Sequence, residues 1–358
     1  MNKKFFTQVA LCATMILPVF TSCSDDDEPT PEPVVSAEYV YVLNCGDMGS
    51  NNTSLSMYNI EDGTVTKDIF EVQNGRRLGD MGQDIVVSGS QIFIAMYGES
   101  TVEVTDLEAK SIKQIKTDGQ PRALVADRGK IYVTYFNGYV ARIDTASLEV
   151  EAKVQVGRNP ERITVANNKL YVANSGGMDY NTEVGYDKTI SVIDITSFTE
   201  IKKIEVIINP DNVVSDNNSG VYVISKGNYN MGNPPVPNTL QKIDVNTDEV
   251  SVVTNATMMT MAGNTLYYIY SQWGEDGEEI MYYTYNTTNS SIVSENFIGD
   301  TKISGPYQIN YDASYEHLFI TTSDYRNDGD VYMFDKSNNF VKTFEVGMNP
   351  MKAVYVKK

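Results

Sequence analysis

The chain has 358 residues, 41% of them hydrophobic and 10% aromatic, and a formal net charge of −19. The apolar share is enough to bury a large core, while the acidic balance repels nucleic acid and anionic lipid surfaces. No nucleic-acid partner is expected; any partner is neutral, cationic or locally steered.

In chain order, Lys3 and Lys4 come first, then an apolar run from Phe5 to Phe20 and small polar residues before Cys23. This is the layout of a secretory signal over residues 1–22. The apolar run falls short of the ~20 residues that a spanning helix needs. The "FTSC" at 20–23 resembles a bacterial lipoprotein processing site, with Phe20 where Leu is usual. The resemblance makes Cys23 the lipid-carrying residue; ordinary cleavage with release is the alternative. Residues 23–37 are rich in Asp, Glu and Pro and are expected to form an extended tether. An acidic run just after a lipidated Cys also resembles the surface-export signal of Bacteroidetes lipoproteins, which implies an outer-membrane protein facing the cell exterior. Loss of residues 1–22 removes two Lys and no acid, which takes the charge from −19 to −21. It also removes Cys12. With Cys23 acylated, Cys45 is the remaining thiol, so no intramolecular disulfide is expected.

From residue 38 onward the chain repeats a pair of strands. The first member reads "EYVYVLN" (38–44), "QIFIAMY" (91–97), "KIYVTYF" (130–136), "KLYVANS" (169–175), "GVYVISK" (220–226), "TLYYIYS" (265–271) and "HLFITTS" (317–323). The second member carries an Asp or Asn at its end: Asn59, Asp106, Asp144, Asp194, Asp244, Asn286 and Asp335. A polar turn and a more variable outer strand follow. Units of this length with four strands match propeller blades, which predicts an all-β, seven-bladed β-propeller over residues 38–358. The repeated Asp or Asn is expected to hydrogen-bond backbone groups in the turn to the outer strand. "MKAVYV" (351–356) is an inner strand without successors, so it should pair with "EYVYVLN" and close the ring. Gly and Pro in the "GRNP" (157–160) and "GMNP" (347–350) phrases are expected to shape the crossing between blades.

This combination of aromatic-led strand, "V-I-D"-type strand and "G-x-N-P" crossover resembles the YncE-like seven-bladed propellers over residues 38–356. The acidic lipoprotein start and the length add a resemblance to the BtuG family of Bacteroidetes surface proteins. That resemblance implies capture of cobalamin or another corrinoid and its delivery to a TonB-dependent outer-membrane transporter, with membrane contact through the lipid anchor only. A glycan- or other small-molecule-binding propeller, a scaffolding propeller, and a propeller hydrolase or lyase are the alternatives.

The loops between second and third strands are long on one face, as in residues 44–53, 174–188, 226–238, 271–279 and 323–329. Extra length on one face marks a working surface. The candidate ligand-binding residues there are Tyr97, Tyr135, Asn174, Tyr180, Asn228, Tyr229, Trp273, Tyr325 and Arg326, with Arg76, Arg77, Arg122 and Arg162 from the crossovers. Aromatic bodies with polar tips suit a large amphipathic ligand, and Asn and Arg suit one fringed with amides. His317 is the one His, which leaves no His-based triad or His-rich metal site. There is no P-loop or dinucleotide fingerprint. No enzymatic activity, catalytic residue or cofactor is expected, the corrinoid being ligand. The acidic loops 274–279 and 324–330 could hold Ca²⁺, but they lack EF-hand spacing and read as solvated loops.

Overall fold

The computed structural model describes residues 37–216, 218–229, 231–271 and 280–358. The signal, Cys23 and its acidic tether to residue 36, Trp273 and the acidic loop 274–279 therefore lie outside the described residues.

Ala37–Lys358 forms one compact unit of seven four-stranded antiparallel sheets. Six are continuous in sequence. Blade 2 runs Gly82–Ser88, Gln91–Met96, Thr101–Asp106 and Ser111–Lys116; blade 3 begins at Pro121–Asp127, blade 4 at Pro160–Ala166, blade 5 at Pro210–Ser215, blade 6 at Met258–Ala262 and blade 7 at Pro306–Asp312. Blade 1 is composite: Pro350–Lys357 is its inner strand, followed by Glu38–Asn44, Ser54–Asn59 and Val65–Thr66. The two chain ends pair in register from Glu38 opposite Lys357 to Val42 opposite Ala353. Closure leaves no unpaired ring end.

Both faces of each blade are covered by its neighbours. The strands second from the axis are therefore apolar almost throughout, as in Lys169–Asn174 with five of six residues buried. Outer strands such as Glu149–Gln155 alternate between exposed and half-buried residues. The core is accordingly divided among the blade junctions. Val40 and Val42 of blade 1, for example, pack with Phe319 and Val331 of blade 7. Tyr171 and Val192 of blade 4 pack with Val213 and Val221 of blade 5.

The repeated Asp or Asn forms the expected turn in every blade. Its side-chain oxygen accepts backbone N–H groups two to four residues on, as from Glu108 and Lys110 to Asp106 or from Thr288 to Asn286. In the "G-x-N-P" crossover Asn has a part that the sequence reading did not give it. Asn159, Asn209 and Asn349 take the left-handed conformation, with φ of 45°, 61° and 55°. Their side-chain amides donate to the carbonyls of Phe136, Gly227 and Gly46, tying each crossover to a loop of the adjoining blade. Proline starts the inner strand, where its fixed φ suits and no N–H is missed. Glycine is required by close approach: a Cβ at Gly157 would stand 2.4 Å from the Asn174 side chain.

The sequence did not announce the helix Ile69–Asn74. It lies in the crossover from blade 1 to blade 2, after an outer strand of only two residues. Ile69 and Phe70 enter the core between these blades, and Gly75 ends the helix with φ 64°.

Candidate functional site

Inner strands start at the face that carries the long loops, because crossovers and second-to-third loops meet there. Backbone bonds join them directly, as from Ser175 N–H to Asn159 O and from Lys226 N–H to Asn209 O. The first residues of each inner strand thus converge at one mouth of the ring. Five of these strands open with proline; in four a polar or aromatic residue follows at once, namely Arg122, Glu161 (then Arg162), Asp211 and Tyr307, and in the fifth Lys352 comes after Met351.

These residues form a charged cluster drawn from several blades. Arg122 donates through Nε to Glu161 Oε2 at 2.8 Å and through Nη1 to Gln83 Oε1 at 2.6 Å. Its guanidinium lies 5.2 Å from the centre of the Phe136 ring and 5.9 Å from that of Tyr97. Lys352 donates to Asp84 Oδ1 at 2.9 Å, and Arg162 approaches Asp84 Oδ2 at 3.3 Å. Lys226 pairs with Asp211 at 3.0 Å. Burial works against the charge on Asp84, but Lys352 and Arg162 outweigh it and hold the carboxyl below its ordinary range. Asp211 is likewise lowered against burial, by Lys226 first and then Arg162 and Arg122. Beside the cluster, burial raises the Tyr307 phenol and keeps it protonated. The Cys45 thiol, between Met81 and Gln83, is pushed up to about 11, again chiefly by burial. It behaves as a packed, protonated sulfur.

The cavity at the ring axis has about 260 Å³ and is lined by Asp84, Arg162 and Lys352 of this cluster together with Val125, Val213 and Ile309. This is less than the ~300–1,000 Å³ of pockets that enclose drug-sized ligands. The loops around it expose Met48, Met178, Tyr180, Tyr229, Met231 and Tyr325. In the blade 4 loop the half-buried Tyr186 phenol is raised, chiefly by burial. Tyr325 meets Tyr307 edge to face at 5.6 Å, linking this rim to the mouth.

Among the sequence candidates, Arg122 and Arg162 stand in the mouth, Tyr97 stands beside it, and Tyr180, Tyr229 and Tyr325 are on the rim. Arg326 is exposed in the blade 7 loop, and Arg77 is exposed with Nη1 on Asn51 O at 3.2 Å. Asn228 binds within its own loop, donating to Pro234 O and accepting from Val236 N–H. Three candidates have other duties. Tyr135 is fully buried among the residues joining blades 2 and 3. Asn174 is also fully buried; it donates to Thr189 and Ser191 hydroxyls and accepts Gly157 N–H, so it clamps the crossover. Arg76 turns outward onto Phe70 and neutralises the buried Glu103 at 2.8 Å. Sequence reasoning missed Gln83, Asp84, Glu161, Asp211, Lys226, Tyr307 and Lys352. For Glu161, Asp211 and Tyr307 the available signal was their place directly after a crossover proline; Gln83, Asp84, Lys226 and Lys352 had no such signal. Among the described residues no cluster of three or more His, Cys, Asp or Glu is arranged to hold a metal.

No family model and no curated protein matches the chain. Solved structures do. A quinoprotein alcohol dehydrogenase-like protein of Bacteroides thetaiotaomicron is 16% identical, with a TM-score of 0.62 over 88% of this chain and 77% of that one. A 6-phosphogluconolactonase-type protein of Bacteroides fragilis is 12% identical, with a TM-score of 0.62 over 91% and 99%. The WD40 domain of Neurospora crassa Pan2 is 13% identical, with a TM-score of 0.54 over 74% and 78%. The chain is a seven-bladed β-propeller. At these identities the likeness is one of fold.

Proposed function

We propose that this propeller is a capture protein, held at the cell surface by a lipid on Cys23, that binds a corrinoid on its long-loop face. It passes the ligand to a TonB-dependent outer-membrane transporter without breaking a bond. The observation that carries this reading is the unequal build of the two faces. On one, exposed Met and Tyr side chains rim a mouth lined with Arg, Gln and carboxylates. A corrinoid is a flat macrocycle with amide arms and a pendant nucleotide. Its faces suit aromatic and thioether side chains, and its arms suit amide, guanidinium and carboxylate partners. The 260 Å³ channel is too small for the macrocycle, which favours docking on the loops, open to a receiving partner.

Titration calorimetry with cobalamin tests the reading. One cobalamin per chain is expected, with a rise in melting temperature by mass action and quenching of the emission of the single Trp, Trp273. Tyr325→Ala should weaken binding and leave the fold intact, since it removes a loop side chain. Absence of heat, thermal shift and quenching would exclude the corrinoid and turn the search to glycans.

A further inference from the structure

We propose that the mouth of the channel is a seat for a singly charged oxyanion, the phosphodiester of the bound ligand. The inference deepens the corrinoid reading and rests on it for the identity of the ligand, but not for the chemistry of the seat.

The charge count at the mouth is uneven. Arg122, Arg162, Lys226 and Lys352 face Asp84, Glu161 and Asp211, four cations to three carboxylates, which leaves one positive charge among these seven side chains, with Asp47 and Asp80 further out beside Cys45. In a chain of net charge −19 this is a local reversal of sign. Depth reinforces the count. The Asp84 and Glu161 side chains are 3% and 12% exposed, whereas Asp211 and the four cations are 25 to 34% exposed. Two of the three carboxylates therefore lie deeper than the guanidinium and ammonium groups, and Asp211 lies level with them.

Arg162 has the most to offer. Among the described residues its guanidinium engages one carboxylate oxygen, at 3.3 Å. That oxygen already accepts Leu124 N–H at 2.9 Å, and the other oxygen of Asp84 accepts Lys352 and Ile85 N–H. A guanidinium carries five N–H donors in a planar fork that matches a phosphate edge. Closing the mouth with one negative charge would satisfy those donors and balance the cluster. A phosphodiester carries one such charge at neutral pH; a phosphomonoester carries nearer two.

The test compares two corrinoids. Cobalamin has the nucleotide arm with its phosphodiester, and cobinamide lacks both. Wild type should hold cobalamin more tightly than cobinamide. Arg162→Gln should cost cobalamin about tenfold or more and leave cobinamide unchanged, with the fold checked by melting temperature. Lys226→Gln, which leaves the Asp84 contacts untouched, should act in the same direction. Equal loss for both corrinoids, or no loss for either, would overturn the seat. If neither corrinoid binds wild type, the corrinoid reading fails and dimethyl phosphate decides the seat. Its ³¹P resonance should then broaden with wild type and not with Arg162→Gln; no broadening with wild type would overturn the seat.

Discussion

The ammonium of Lys352 lies 2.9 Å from Oδ1 of Asp84, its partner 268 residues earlier in the chain. Lys352 belongs to the strand that closes the ring, and Asp84 to the inner strand of blade 2. The same carboxylate takes Leu124 N–H from blade 3 and faces Arg162 from blade 4. One buried Asp thus joins four consecutive blades at the site where ligand is expected.

Asp84→Ala should be strongly destabilising, by about 3–5 kcal/mol, because it strands two cations and two backbone N–H groups in a poorly solvated place. Urea unfolding monitored by tyrosine and tryptophan emission measures the loss. A change under about 1 kcal/mol would mean that water replaces the carboxylate freely.

Acid should unfold the protein through the same group. The Asp84 and Asp211 carboxyls are lowered in the folded state relative to about 3.9 in an unfolded chain. Their contribution is therefore complete above the unfolded value and is lost as pH falls through the folded one. The urea midpoint should stay level in this contribution from neutrality to about pH 5 and decline below about pH 4. A double variant, Asp84→Asn with Asp211→Asn, should begin from a lower midpoint and show a shallower decline.

Arg76→Ala separates structure from ligand contact. Glu103, fully buried, would keep only its bond from the Ser111 hydroxyl. A loss of about 1–3 kcal/mol in stability is expected, with cobalamin affinity unchanged. Weaker ligand binding by a variant that stays folded would return Arg76 to the working surface.

Asn349 tests the crossover. Replacement by Ala removes its bond to Gly46 O and the one it accepts from the Ser323 hydroxyl, and puts at φ 55° a residue that tolerates the left-handed region less well than Asn, at a cost of about 2–4 kcal/mol. Asn349→Gly loses the bonds but not the conformation, so it should cost about 1 kcal/mol less or better. Equal melting temperatures for the two variants would show that backbone strain is not the reason for Asn here.

Deletion of residues 347–358 should remove the inner strand of blade 1 and expose both its neighbour and the Val42 side of the core. Light scattering and a melting scan should show aggregation or a much lower transition. Parent-like solubility and melting would contradict closure by the chain ends.

The seven units, the turn role of Asp106 and its equivalents, and the pairing of residues 38–44 with the last strand were legible in the sequence. Strand alternation, turn chemistry and repeat length are local properties, and each is written out seven times. The site was only half legible. Tyr135 and Asn174 sit at loop edges in the sequence, yet both are wholly buried, since a propeller strand is covered on both faces by neighbouring blades. Arg76 stands in a crossover like Arg122, but the short helix beside it turns it outward to Glu103. Conversely, Asp84, Asp211 and Lys352 belong to separate repeats, and only Asp211 directly follows a crossover proline. Their meeting depends on ring closure, which brings the starts of the inner strands to one axis. Tertiary structure alone decided that meeting, because the low-dielectric packing around the axis, and no feature of any one repeat, forces these charges to pair.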